Sequence, residues 1–65
     1  MAPYRSATDL LTWHVECPVR GPFGPVVTTG AVRALDETSA IEAFVEQMTG
    51  EGFEVVGQAR ARRAT

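Results

Sequence analysis

The sequence predicts an α+β fold: one helix packed on one face of a three-stranded antiparallel sheet, with elements in the order β-β-α-β and strands in the spatial order 2-1-3. Three observations carry this prediction. Residues 36–49, DETSAIEAFVEQMT, have helical periodicity; residues 10–17, LLTWHVEC, alternate strictly; and two further β-rich runs lie on either side of the helix. A helical crossover returns the chain parallel to the strand it left, so the last strand lies antiparallel beside the first. The first strand is then central.

In residues 10–17, Leu11, Trp13, Val15 and Cys17 share one face, and Leu10, Thr12, His14 and Glu16 share the other. Trp13 is the largest expected contributor to the core. Residues 18–25, PVRGPFGP, hold three prolines and two glycines and read as a loop too long for a tight hairpin turn. Phe23, in its middle, is expected to close over the end of the core; the alternative is that it is offered to a partner.

Residues 26–35, VVTTGAVRAL, form the second strand, with Val32 and Ala34 inward and Arg33 outward. Gly30 interrupts the alternation, and a bulge there is expected to let Val27 and Val32 share the buried face. In the helix, Asp36 is the N-cap, and Asp36 and Glu37 place negative charge at the positive end of the helix dipole. Ala40, Ile41, Phe44, Val45 and Met48 form a single apolar stripe, with Thr38, Glu42, Glu46 and Gln47 on the other side. Gly50 and Gly52 supply a left-handed stop. Residues 53–61, FEVVGQARA, are the expected third strand, with Phe53, Val55, Gly57 and Ala59 inward, after which residues 62–65 fray. Residues 1–9, MAPYRSATD, read as a flexible lead-in from which Tyr4 can fold back onto the core.

Sixty-five residues make one small domain, 1–65, with a thin core. A composition that is 45% hydrophobic and 22% charged is that of a globular chain. One cysteine provides no internal disulfide and suits a reducing compartment. No run of 18 apolar residues is present and the first nine residues do not read as a signal peptide, so a cytoplasmic protein without membrane contact is expected. All six basic residues are arginine, a bias that suggests a GC-rich genome, bacterial or phage.

Chemistry-bearing residues are few. His14 and Glu16 point to one face of their strand and Cys17 to the other, too few and too divergent for a structural zinc site. The same divergence separates the thiol from a base. Glu42 and Glu46, one helical turn apart, are expected to be a solvated face, too wet for acid–base work. Neither an enzyme nor a cofactor or metal site is therefore expected. The charge is segregated: residues 1–58 hold eight acids against three arginines, while residues 59–65 hold three arginines and no acid.

The run 32–44, VRALDETSAIEAF, resembles the strand–cap–helix passage of many small β–α–β proteins, ribosomal and toxin–antitoxin proteins among them, and implies fold type alone. The function expected is a small non-enzymatic interaction or regulatory module. It would act by protein contacts through the bare sheet face, the Phe23 loop or the acidic helix, with Phe23, Glu42, Glu46 and Val56 as contact residues. The bare face is expected to carry a small apolar patch of Leu10, Val26 and Val56, and two free edges favour a homodimer, edge to edge or bare face to bare face. The alternative is an accessory nucleic-acid binder using Arg60, Arg62 and Arg63.

Overall fold

A computed structural model describes residues 10–64; the expected lead-in over 1–9, with Tyr4, lies outside the described residues. The chain forms β1 (Leu11–Gly21), β2 (Gly24–Ala34), α1 (Glu37–Gly50) and β3 (Arg60–Arg63). The sheet order is β2-β1-β3 with both pairings antiparallel, and the helix contacts all three strands. The architecture is the α+β arrangement expected from the sequence, with LLTWHVEC in the centre.

The first hairpin is longer and tighter than its prolines suggest. Residues 18–21 and 24–25 continue the two strands, and only Pro22 and Phe23 form the turn. The expected loop over 18–25 is corrected on physical grounds: each proline sits where the ladder needs no donor. In a strand, the N–H and C=O of one residue point to the same side. Pro18 O accepts from Val56 N at 3.0 Å, so the missing Pro18 donor faces the β3 side. There the partner chain bulges: between Glu16↔Arg60 and Val19↔Val55, β1 advances three residues and its partner five. Gly57 fits into this bulge, where an added Cβ would lie 2.8 Å from Pro18 Cγ. Pro25 pairs with Arg20, whose N–H donates toward the β3 side, so the Pro25 nitrogen faces the open edge of β2. Pro22 presets the φ of the first turn position. Neither turn residue has positive φ, and Gly24, at φ +126°, supplies the left-handed conformation that a hairpin of right-twisted strands requires.

The register from Leu11↔Ala34 to Gly21↔Gly24 is unbroken. No bulge occurs at Gly30, and the side chains of β2 therefore alternate in strict phase. Val26, opposite Val19, takes the helix side; Val27, opposite Pro18, takes the bare side and is 62% exposed, against the expectation that it is buried. Gly30 has a different role. A Cβ there would lie 2.6 Å from Phe44 Cε1, so the missing side chain is the space that the Phe44 ring fills.

The core lies between the sheet and α1: Trp13, Val15, Cys17, Val19, Ala34, Ala40, Phe44, Met48 and Ala59, with Ile41, Val45, Val32 and Val55 packed around them. Val15, Cys17 and Val19 are fully buried. Burying each of the two valines contributes about 1.5–3 kcal/mol by transfer. The one polar atom that Trp13 carries inward is satisfied, because Nε1 donates to Ala34 O at 3.1 Å.

The helix ends are built as the sequence indicates. Ser39 N donates to Asp36 Oδ1 at 2.8 Å, which fixes the N-cap and holds the Asp36 carboxyl below its ordinary pKa. At the other end, Gly52 N donates to Thr49 O and Phe53 N to Met48 O, both at 3.0 Å, with Gly52 at φ +95°. This is a Schellman stop.

The third strand differs from the expected 53–61. Val55 makes only an isolated bridge to Val19, the chain bulges over 56–59, and β3 begins at Arg60. Phe53 is partly exposed and not inward. Arg62 and Arg63, expected to fray, pair with His14 and Trp13, and Ala64 N still donates to Thr12 O at 3.0 Å. The two extra residues in the bulge shift the pairing toward the C-terminal end.

Three glycine substitutions test this packing by urea denaturation. Gly30→Ala is expected to lower stability by about 1–3 kcal/mol, the range for overpacking. Gly50→Ala, in the last helical turn with nothing within 4 Å of an added Cβ, is expected to raise it by up to about 1 kcal/mol. Gly52→Ala forces a left-handed residue to carry a side chain and is expected to cost about 1–2 kcal/mol. Asp36 adds a pH signature. Its folded pKa is depressed, so its contribution is present above the unfolded value of about 3.9 and is lost as pH falls through the folded value. Asp36→Ala should lower the melting temperature at neutral pH and flatten its fall below pH 4.

Candidate interaction surface

Alternation along three paired strands sorts every sheet residue to one of two faces. The face away from α1 receives Thr12, His14, Glu16, Pro18 and Arg20 from β1, Pro25, Val27, Thr29, Ala31 and Arg33 from β2, and Arg60 and Arg62 from β3. Among the described residues, no helix or other strand covers it.

The register sets out this surface. Arg62 lies opposite His14, Arg60 opposite Glu16, and Arg33 opposite Thr12 on the other flank of β1. Arg33 also reaches back to donate from Nη2 to Leu10 O at 3.1 Å. His14, Glu16, Arg60, Ala61 and Arg62 line a shallow open depression, and Glu16, Pro18, Val27, Gln58 and Arg60 line a second beside it. Pro18 and Val27, cross-strand neighbours, are the apolar centre between these polar flanks. Arg20, at the hairpin end of the same face, is held by Glu54: Nε to Oε1 at 2.9 Å and Nη2 to Oε2 at 3.3 Å. The hydrogen bonds and charge of Arg20 hold the Glu54 carboxyl below its usual pKa, and Glu54 raises that of Arg20. The register also places Arg33, Arg60 and Arg62 on this face.

The residues singled out from the sequence are thus divided. Arg60 and Arg62 share the bare face; Arg63, in register with Trp13, lies on the helix side. Arg33 joins the first two on the bare face, an association the sequence allows only once the sheet is known. Val56 adjoins Pro18 and is partly exposed. The expected patch of Leu10, Val26 and Val56 does not form. Val26 is on the helix side opposite Val19, and Leu10 precedes β1 at the end remote from Val56. Phe23 does not close the core. It is fully exposed at the hairpin tip, because the tight turn carries it beyond the last core pair, Val19 and Val55. Glu37, Glu42 and Glu46 are exposed on α1 and Glu51 is exposed at its C-cap, so the helix side is acidic where the bare face is basic.

His14 and Glu16 share the bare face, whereas Cys17 is fully buried beneath α1, where burial raises its thiol pKa. Among the described residues, no three His, Cys, Asp or Glu side chains are placed to hold a metal ion. None of the described helices is long and apolar enough to cross a membrane. The chain matches no protein family, and no curated protein or solved structure is significantly similar to it.

The Arg20–Glu54 pair gives a test of how this face is charged. Glu54→Gln frees the Arg20 guanidinium and is expected to strengthen retention on a phosphate-bearing cation-exchange resin at pH 7 by more than the single charge change alone. Control substitution of a helix acid, Glu42→Gln, changes the net charge equally and is expected to shift retention less. Equal shifts would mean that the bare face is not the binding surface.

Proposed function

We propose that this chain is a small non-enzymatic interaction module, bacterial or phage in origin, that works in the cytoplasm by docking a protein on the open side of its sheet. The observation that carries this reading is the uncovered face itself. A three-stranded sheet with an apolar centre at Pro18 and Val27, cationic flanks and an 11-residue edge strand that no second strand of the described residues pairs exposes surface that sheets normally cover. Phe23 at the tip supports it as an aromatic anchor of the kind that dominates contact energetics. The buried, unpaired Cys17 suits a reducing compartment. Glu42 and Glu46, on the far side of α1, are too remote to serve the same contact.

A second reading, an accessory nucleic-acid binder, is favoured by one specific observation: Arg33, Arg60 and Arg62 share a face and flank His14. Phosphate contacts from such a cluster confer affinity that falls with salt and carries no sequence preference. Among the described residues, no Phe, Tyr or Trp lies on this face to stack bases, which keeps this reading second.

Site-specific photo-crosslinking in the native cell separates the surfaces. A photoreactive residue at Val27 or Phe23 is expected to capture a protein, and one at Glu42 or Glu46 is not. Capture only from the helix positions would overturn the reading. For the second reading, a low-salt gel shift with single-stranded and duplex DNA and RNA is the measurement. Binding weakened by Arg60→Ala, Arg62→Ala or Arg33→Ala, but not by Arg63→Ala, would install the nucleic-acid reading in place of the first. An absence of any shift removes it.

A further inference from the structure

The two edges of the sheet differ in kind. The β3 edge is four residues long, carries three arginines, and is preceded by a bulge. These are the devices by which proteins keep an edge from pairing. The β2 edge has none of them along its middle. From Val26 to Val32 the strand reads VVTTGAV, seven residues with no charge, no proline and no bulge. Pro25 and Arg33 stand at its two ends.

The ladder parity fixes which groups this edge offers. Thr28 pairs with Cys17 and donates its Oγ1–H to Cys17 O at 2.9 Å, on the β1 side. The intervening residues Val27, Thr29 and Ala31 therefore direct their N–H and C=O groups away from β1, into the open edge. Such a row of alternating donors and acceptors is complementary to another extended strand. It is also complementary to itself. When two copies of β2 run antiparallel about a two-fold axis at Thr29, the midpoint of the uncharged run, Thr29 faces Thr29 and Val27 faces Ala31. Arg33 of each copy then stands beside Pro25 of the other, whose missing N–H ends the ladder. No like charges meet. On the helix side, Val26, 48% exposed, meets the half-buried Val32 of the second copy, so apolar surface is covered along with the main chain. The two helices lie on the same side of the joined sheet, separated by three strand spacings of about 4.8 Å, wider than the 8–10 Å at which helices pack.

From this self-complementarity we infer that the β2 edge pairs with the β2 edge of a second copy of the same chain, making a continuous six-stranded sheet with one bare face. The inference rests on the proposed docking role of the open sheet and names the occupant of its edge. The doubled sheet joins two copies of the basic face, with Arg60 and Arg62 at the outer rims.

Two measurements on the whole chain test it. Light scattering across micromolar to millimolar concentration is expected to give twice the 7.0 kDa chain mass, and hydrogen exchange is expected to slow at the amides of Val27, Thr29 and Ala31 as the dimer forms. Thr29→Lys places two like charges across the axis while facing Glu16 within its own sheet. It should return the mass to that of one chain with the circular dichroism unchanged. A single-chain mass for the wild type at every concentration overturns the inference. So does a dimer whose Val27, Thr29 and Ala31 amides exchange as fast as those of the monomer, which would signify face-to-face association instead. Either result leaves protein capture at Val27, the readout of the docking reading, to stand or fall separately.

Discussion

The structure depends on a single contact between an aromatic ring and a bare stretch of backbone. Phe44 lies against β2 at Gly30, where any side chain would collide with the ring. Because the ring reaches the sheet itself, α1 sits close over Val15, Cys17 and Val19 and buries them fully. In a chain of 65 residues, there is little else to support a core. Trp13 closes one end of this interior with its indole nitrogen bonded to Ala34 O, and Met48 extends the helix side of it. The capping bond at Asp36 and the left-handed Gly52 fix where the helix begins and ends, and so hold Phe44 at the right height above β2.

A second constraint comes from the prolines. A central strand ordinarily excludes proline because every residue must donate to one neighbour or the other. Here Pro18 is accommodated by bulging the chain opposite, with Gly57 against the proline ring, and Pro25 by turning its nitrogen to an edge. The same bulge delays β3 to Arg60 and, by inserting two residues, shifts the register of its arginines while keeping the alternation that Val55 begins. Thus the accommodation of one proline in β1 decides which residues the arginines stand beside, Arg60 opposite Glu16 and Arg62 opposite His14.

This explains which features were legible in the sequence. The helix was clear from its 3.6-residue stripe, its Asp36 cap and its glycine stop, and the first strand from its alternation through Trp13; both depend on neighbours close in sequence. The strand order followed from connection rules. What could not be read locally was the extent of pairing. PVRGPFGP has the composition of a loop, and only the partner on the far side of β1 shows that its prolines meet no broken ladder. Gly30 looked like a bulge because a gap in the alternation and a space for a ring from another element are the same letter in a sequence. Once that assignment shifted by one residue, Val26 and Val27 exchanged faces and the expected patch dissolved. The surface was legible in its residue types, with Arg60 and Arg62 on one face of a strand. Arg33 joins them through a register that only the folded sheet supplies.

A double-mutant cycle between Gly30→Ala and Phe44→Leu, followed by urea unfolding, tests the contact between ring and backbone most directly. If the ring occupies the space that glycine leaves, the smaller leucine relieves the collision. The added methyl should then cost less in the Phe44→Leu background than in the wild type, with a coupling of about 0.5–3 kcal/mol between the two positions. Strictly additive costs would mean that Phe44 and Gly30 do not meet, and the packing of α1 on the sheet described above would be wrong.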